Sequence, residues 1–164
     1  MYIGSCTTDA SSMTDPVQDL THDHADINRR VLALSAAIRA LGRDDSDGMA
    51  LALGTPLGEL RELVFLHFAR EEEGLFPFVA DMVPDLAEQV HAMALAHDAI
   101  CGGLARMCHL AATNAEIAVI AAVFARFEAT YSSHAEVEAE LLHKLGERLG
   151  PEHRARLSDL VSGL

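Results

Sequence analysis

The 164 residues amount to one domain's worth of chain, long enough to bury roughly 70% of its unfolded surface around a single core without a cofactor to hold it folded. Half of the residues are apolar and aromatics are only 5%, while Ala and Leu dominate, a balance that favours helix over sheet. Lys and Arg total 12 against 25 Asp and Glu, and a net charge of −13 repels nucleic acid and anionic membrane, so neither is expected as a partner.

Residues 1–14 are rich in Ser and Thr, with no basic start and no apolar run, and read as a flexible tail rather than a signal peptide or anchor; residues 15–164 read as the folded domain. Cys6 lies in that tail. With Cys101 and Cys108 it makes three cysteines that lack C-x-x-C spacing and cannot all pair, which suits the reducing cytoplasm. Asp15–Pro16 supplies an N-cap followed by Pro at the first helical position. Val17, Leu20, His24, Ile27, Val31, Leu34, Ile38 and Leu41 then step by threes and fours, which predicts a first helix over 16–41. Residues 42–48 read as loop, and Met49 to Leu53 is ambiguous. Thr55–Pro56 starts a second helix whose inward face is Leu60, Leu63, Val64, His67, Glu71, Leu75 and Phe78, and Pro77 is expected to end or kink it.

Pro84 opens a third helix with the stripe Leu86, Val90, Met93, His97, Ile100, Leu104 and Cys108. Asn114 is taken as the cap of a fourth, which carries Ile120, Phe124, Phe127, Tyr131, His134, Glu138, Leu141, Leu145 and Leu149 on one side. Gly150–Pro151 stops it and leaves a short helix over 152–161. The predicted fold is all-α, an antiparallel up-down-up-down four-helix bundle with a short C-terminal helix. It is expected as a monomer or homodimer, with the terminal helix and exposed apolar residues such as Leu53 as the features that would support a dimer.

One pattern occurs twice along these stripes: a lone His followed by His-x-x-x-Glu, first as His24 then His67 and Glu71, again as His97 then His134 and Glu138. Nine His and a Glu-rich chain produce chance matches, such as His143 with Glu147. Helix faces separate them, because each residue turns the side chain by about 100°. His22, His91, His109 and His143 point away from the stripes, and only the six repeated positions share the inward face. A single inward His is more often a hydrogen-bonded core residue than a ligand. Six such positions in duplicate, at one height in an antiparallel bundle, point instead to metal.

A His and a Glu one turn apart can both reach an ion in the core, and a carboxylate between two ions can bridge them. Buried carboxylates among Leu, Val and Phe are costly unless paired or metal-bound, and no inward Lys or Arg is in reach. Nitrogen and oxygen ligands without thiolate suit two Fe ions with an oxo or hydroxo bridge, with Mn or Zn ranked behind. The Glu-x-x-His pairs Glu88 to His91 and Glu140 to His143 form a rival di-iron pattern, but they fall off the apolar stripes.

The segments Asp23-His24-Ala25-Asp26-Ile27, His67-Phe68-Ala69-Arg70-Glu71-Glu72 with Leu75-Phe76-Pro77 behind it, Ala96-His97-Asp98-Ala99-Ile100, and His134 through Glu138 resemble the signature blocks of the hemerythrin-like, HHE cation-binding family of bacterial type. The resemblance spans about Asp15 to Leu149 and implies a non-haem di-iron centre in an antiparallel four-helix bundle, acting on O2, NO or peroxide. Respiratory hemerythrins have a further His where this chain has Met93, and end on an Asp five residues after its His where this chain has Glu138 four after. The resulting set, two His per iron, shifts the expectation from O2 carriage toward sensing or reaction.

The first function expected is therefore binding or sensing of O2 or NO at the His24, His67, Glu71, His97, His134, Glu138 centre. An enzyme acting on peroxide or NO is the alternative, with Tyr131, one turn before His134, in a supporting position. Iron storage or repair of iron centres is a further one. Cys101 and Cys108 read as small buried hydrophobes, and Glu72, Glu73, Glu136 and Glu140 as solvated surface.

Overall fold

The computed structural model describes residues 15–43 and 49–162; the tail read at 1–14, with Cys6, and residues 44–48 of the first loop lie outside them. Among the described residues the regular structure is helical: α1 Pro16–Leu41, α2 Gly54–Arg70, α3 Phe76–Met82, α4 Ala87–Ala112, α5 Ile117–Arg148 and α6 Pro151–Ser162, with short tight turns between some of them. Asp15 starts α1 as its sequence suggests, its Oδ1 accepting from the Val17 N–H at 3.1 Å. The four long helices close a ring in which α1 packs on α2, α2 on α4, α4 on α5 and α5 on α1.

The local readings need two corrections and one refinement. Met49–Leu53 forms a 3₁₀ turn, and Leu53 is 1% exposed, packed into the core beside Leu57 and Ala50, so it offers no dimer surface. Pro77, expected to end or kink the second helix, meets a change of helix type rather than an end. A π-helical turn, Glu71–Leu75, takes up the disturbance before it, with the Phe76 N–H reaching back to the Glu71 carbonyl, and α3 then continues with Pro77 in its first turn. The wider turn lies where a proline ring would otherwise collide with the preceding carbonyls. Asn114 closes α4 instead of capping α5. At φ 53 it is left-handed, its N–H bonds to Ala111 and that of Ala115 to Leu110, the six-to-one closure that satisfies the last carbonyls of a helix.

The core divides into two apolar clusters. One holds Ile27, Val64, Ile100 and Tyr131 with residues further along the bundle; the other holds Leu20, Leu75, Met93 and Leu141 and the residues around α6. α1, α4 and α5 contribute to both, α2 enters the first and its continuation through Leu75 and α3 the second, and the polar side chains fall between them: His24 between Leu20 and Ile27, His97 between Met93 and Ile100, His134 and Glu138 between Tyr131 and Leu141. α6 closes one end. Arg154 donates to the Leu149 and Gly146 carbonyls at 3.1 and 2.6 Å and pairs with Asp15, so one guanidinium joins the start of α1 to the end of α5. Gly74 in the π turn lies against Val161 of α6 so closely that an added Cβ would come within 2.9 Å of its Cγ1.

Candidate metal centre

All six repeated residues are buried, with Glu71 and Glu138 at 0% exposure. They converge on one point. His24 Nε2 lies 2.8 Å from His67 Nε2 and 2.5 Å from Glu138 Oε2. On the other side His97 Nε2 is 3.1 Å from Glu71 Oε2, and His134 Nε2 is 3.3 Å from Glu138 Oε2. The ligand atoms form two overlapping groups able to hold a metal ion: His24, His67, Glu71 and Glu138 in one, and Glu71, His97 and His134 in the other, each within 4.8 Å. Glu71 belongs to both, and it stands in the π turn. His22, His91, His109 and His143 are exposed, as are Glu88 and Glu140, so the rival Glu-x-x-His pairs do not reach this layer.

The chemistry of the set fits a cation. Both oxygens of Glu71 and of Glu138, Nε2 of His97 and both ring nitrogens of His134 are buried without a hydrogen-bond partner. A buried polar atom left so costs about 1–3 kcal/mol, and here several of them point at one another. Carboxylate oxygens and the lone-pair nitrogen of each neutral imidazole are acceptors, and acceptors converge stably only around a proton or a metal ion.

Protons answer part of that demand in the metal-free chain. Burial, reinforced by the adjacent Glu138 charge, pushes the Glu71 carboxyl well above the ordinary carboxylate value. Burial would raise Glu138 too, but the polar groups of Glu71, His134, His24 and His67 set around it outweigh burial and hold that group well below. The two carboxyls are thus pushed in opposite directions, Glu71 toward holding a proton and Glu138 toward its charged form. His97 is pushed down to about 3 by burial and by the neighbouring His134, so its imidazole is neutral with a lone pair to offer. His67 runs the other way: burial lowers it, but the nearby carboxylates of Asp23 and Glu138 raise it above its usual value.

Two contacts outside the six escaped the sequence. Glu72, read as solvated surface, places Oε1 2.6 Å from His97 Nδ1. Asp23 places Oδ2 3.6 Å from His67 Nδ1 and accepts from Arg70 at 2.9 Å. Nothing in an Asp beside a His or in the run Glu71-Glu72-Glu73 distinguishes such partners from an ordinary charged surface. Phe68 stacks on the His97 ring at 3.6 Å between centroids, with Phe76 at 5.4 Å.

Tyr131 is 1% exposed, and its hydroxyl is buried without a partner. Burial first, then the charges of Glu138 and Glu71, keeps that phenol protonated far above its normal range. Burial raises the Cys101 thiol to about 11 and that of Cys108 as well, so both behave as small half-buried hydrophobes.

Two grooves approach the layer. One between α1 and α5, about 640 Å³, reaches His24; another between α4 and α5, about 470 Å³, reaches His134 past Ala92, Ala96 and Ala129. Among the described residues no helix is long and apolar enough to cross a membrane. The family model described as hemerythrin HHE cation binding domain matches residues 15–146, and no curated protein matches the chain.

Proposed function

This chain belongs to the hemerythrin HHE cation-binding domain family, and from that premise we propose that it is a non-haem di-iron protein that binds or senses a small oxidant, O2 or NO. His24 and His67 would hold one iron and His97 and His134 the other, with the Glu71 and Glu138 carboxylates supplying oxygen ligands between them. The observation that carries this reading is the layer of unpartnered acceptor atoms, divided into two groups that have Glu71 in common. Bound iron would supply the redox chemistry toward a small oxidant. The rest is done by the protein: the apolar clusters on either side keep bulk water from the layer, and Phe68 and Phe76 hold the His97 ring in place.

The same reading includes an up-down-up-down course. α1 and α4 pass from the Leu20 and Met93 cluster toward the Ile27 and Ile100 cluster, and α5, and α2 with its continuation through the π turn into α3, run back, an order that supports it. It also includes a cytoplasmic location, in keeping with the free thiols of Cys101 and Cys108. A diatomic or peroxide ligand is the partner, reaching the layer by the two grooves, with neither nucleic acid nor membrane involved.

One observation favours a second reading, an enzyme acting on peroxide or NO. The Tyr131 hydroxyl is buried without a hydrogen-bond partner, one turn before His134, so its O–H is free to donate a hydrogen bond to a ligand in the layer, while its raised pKa makes it a hydrogen-bond donor rather than a strong acid. Reconstitution with Fe(II) under anaerobic conditions should give two irons per chain, and rapid mixing with O2 or NO should change the visible spectrum. A chain that takes up no iron, or iron that is indifferent to both gases, overturns the first reading. Turnover of peroxide or NO above that of free iron, slowed in Tyr131→Phe, decides for the second.

A further inference from the structure

The six inward residues repeat with near symmetry, but the side chains behind them do not. His97 Nδ1 meets Glu72 Oε1 at 2.6 Å, a short charge-assisted contact, and no cation pairs with Glu72 among the described residues. Its counterpart on the other half is weaker. Asp23 stands 3.6 Å from His67 Nδ1, beyond hydrogen-bond reach, and its charge is already shared with Arg70. His134 Nδ1 has no partner at all.

A neutral imidazole has one N–H and one lone pair, and a carboxylate on one nitrogen fixes the N–H there and frees the other. The π turn makes this arrangement available, because its consecutive residues Glu71 and Glu72 reach opposite nitrogens of a single ring: Glu71 Oε2 lies 3.1 Å from His97 Nε2, and Glu72 lies at Nδ1. Phe68 and Phe76 then restrict the ring's rotation.

We propose that Glu72 is a positioning residue for one half of the centre: by accepting the Nδ1–H of His97 it commits Nε2 to metal and makes the His97/His134 position the stronger of two inequivalent metal positions. Asp23, held by Arg70, plays the smaller corresponding part at His67. The inference rests on the two-ion reading above and adds to it that outer carboxylates, not the ligands themselves, distinguish the halves.

The test is an anaerobic titration of the full chain with Fe(II), read by metal retention after dialysis and by Mössbauer spectra. The wild type should hold two irons in two distinguishable environments. Glu72→Ala should weaken one position by about 10–100-fold and leave the other as it was. Glu72→Gln, whose amide oxygen still accepts from Nδ1, should recover most of that loss, and Asp23→Ala should cost less and affect the other environment. With Zn(II) as a diamagnetic probe, the nitrogen-bound proton of His97 should be visible by NMR in wild type and Glu72→Gln and absent or shifted in Glu72→Ala. Glu72 is half exposed, so these variants keep their core, which far-ultraviolet circular dichroism checks. Two irons in the wild type with Glu72→Ala unchanged, or with both positions weakened alike, overturns this inference alone. Fewer than two irons in the wild type overturns the di-iron reading and the inference with it.

Discussion

Glu71→Leu separates what the centre does for metal from what it costs the fold. In the metal-free chain Glu71 is wholly buried, both oxygens lack a hydrogen-bond partner, and burial beside Glu138 raises its pKa and so favours the neutral acid. A neutral acid in that state costs about 1–3 kcal/mol, and a buried ionisable group replaced by an apolar one of similar volume commonly leaves a protein more stable. Metal-free Glu71→Leu should therefore exceed the wild type by roughly 1–3 kcal/mol, a rise in Tm of about 2–12 °C at 2–4 °C per kcal/mol for a domain this size. Added metal should reverse the order. Wild type gains about 2.7 kcal/mol at a free metal concentration 100 times Kd, whereas the variant lacks the carboxylate common to both ligand groups and gains far less. Thermal melts followed by circular dichroism, in chelator and then in anaerobic Fe(II), give both numbers. A variant that melts below the wild type in chelator, or that gains as much from Fe(II), refutes the argument that Glu71 is kept for metal at the expense of the fold.

The proton on Glu71 sets a pH dependence. Its folded pKa is raised, so the stability it contributes is complete below the unfolded carboxylate value and is lost as pH rises through the folded one, while metal competes with the same proton. Zn(II) affinity should then climb with pH and binding should release protons, measurable by calorimetry in buffers of different ionisation enthalpy; affinity constant from about pH 5 to 8 contradicts this. Gly74→Ala should destabilise, because overpacking of about 1–3 kcal/mol against the stiff Val161 side chain and the Leu160 backbone outweighs the helix-propensity gain of about 1 kcal/mol. Val161→Ala should relieve part of it in a double-mutant cycle, and a Gly74→Ala variant as stable as wild type would show that α6 yields freely. Asn114→Ala should cost about 1 kcal/mol by urea unfolding, and Asn114→Gly next to nothing, since only the left-handed backbone is at issue.

Much of the site was legible because helical periodicity is local. His24, His67, His97 and His134 lie in stripes of apolar residues three and four apart, and a period of 3.6 places them inward wherever the helices go. The same periodicity put His22, His91, His109 and His143 outside, where the structure has them. Cap chemistry behaved likewise at Asp15, whose side chain closes the turn that follows it. Asn114 failed by the same measure: an Asn before a helix and an Asn after one look alike in sequence, and only the backbone path shows that its positive φ ends α4.

By itself the sequence determined which side chains face inward and that two carboxylates would be buried without an internal cation, because both follow from spacing along one chain. The tertiary structure alone decided how those residues group across helices and that Glu71 belongs to both groups. It also decided that the strain near Pro77 is taken up by a π turn, that Leu53 is core, and that Glu72 backs His97 while Asp23 backs His67 less closely. Each of these is a matter of register between helices, where a shift of an ångström separates a solvated carboxylate from one bonded to a buried imidazole. No spacing within a single helix records such a distance.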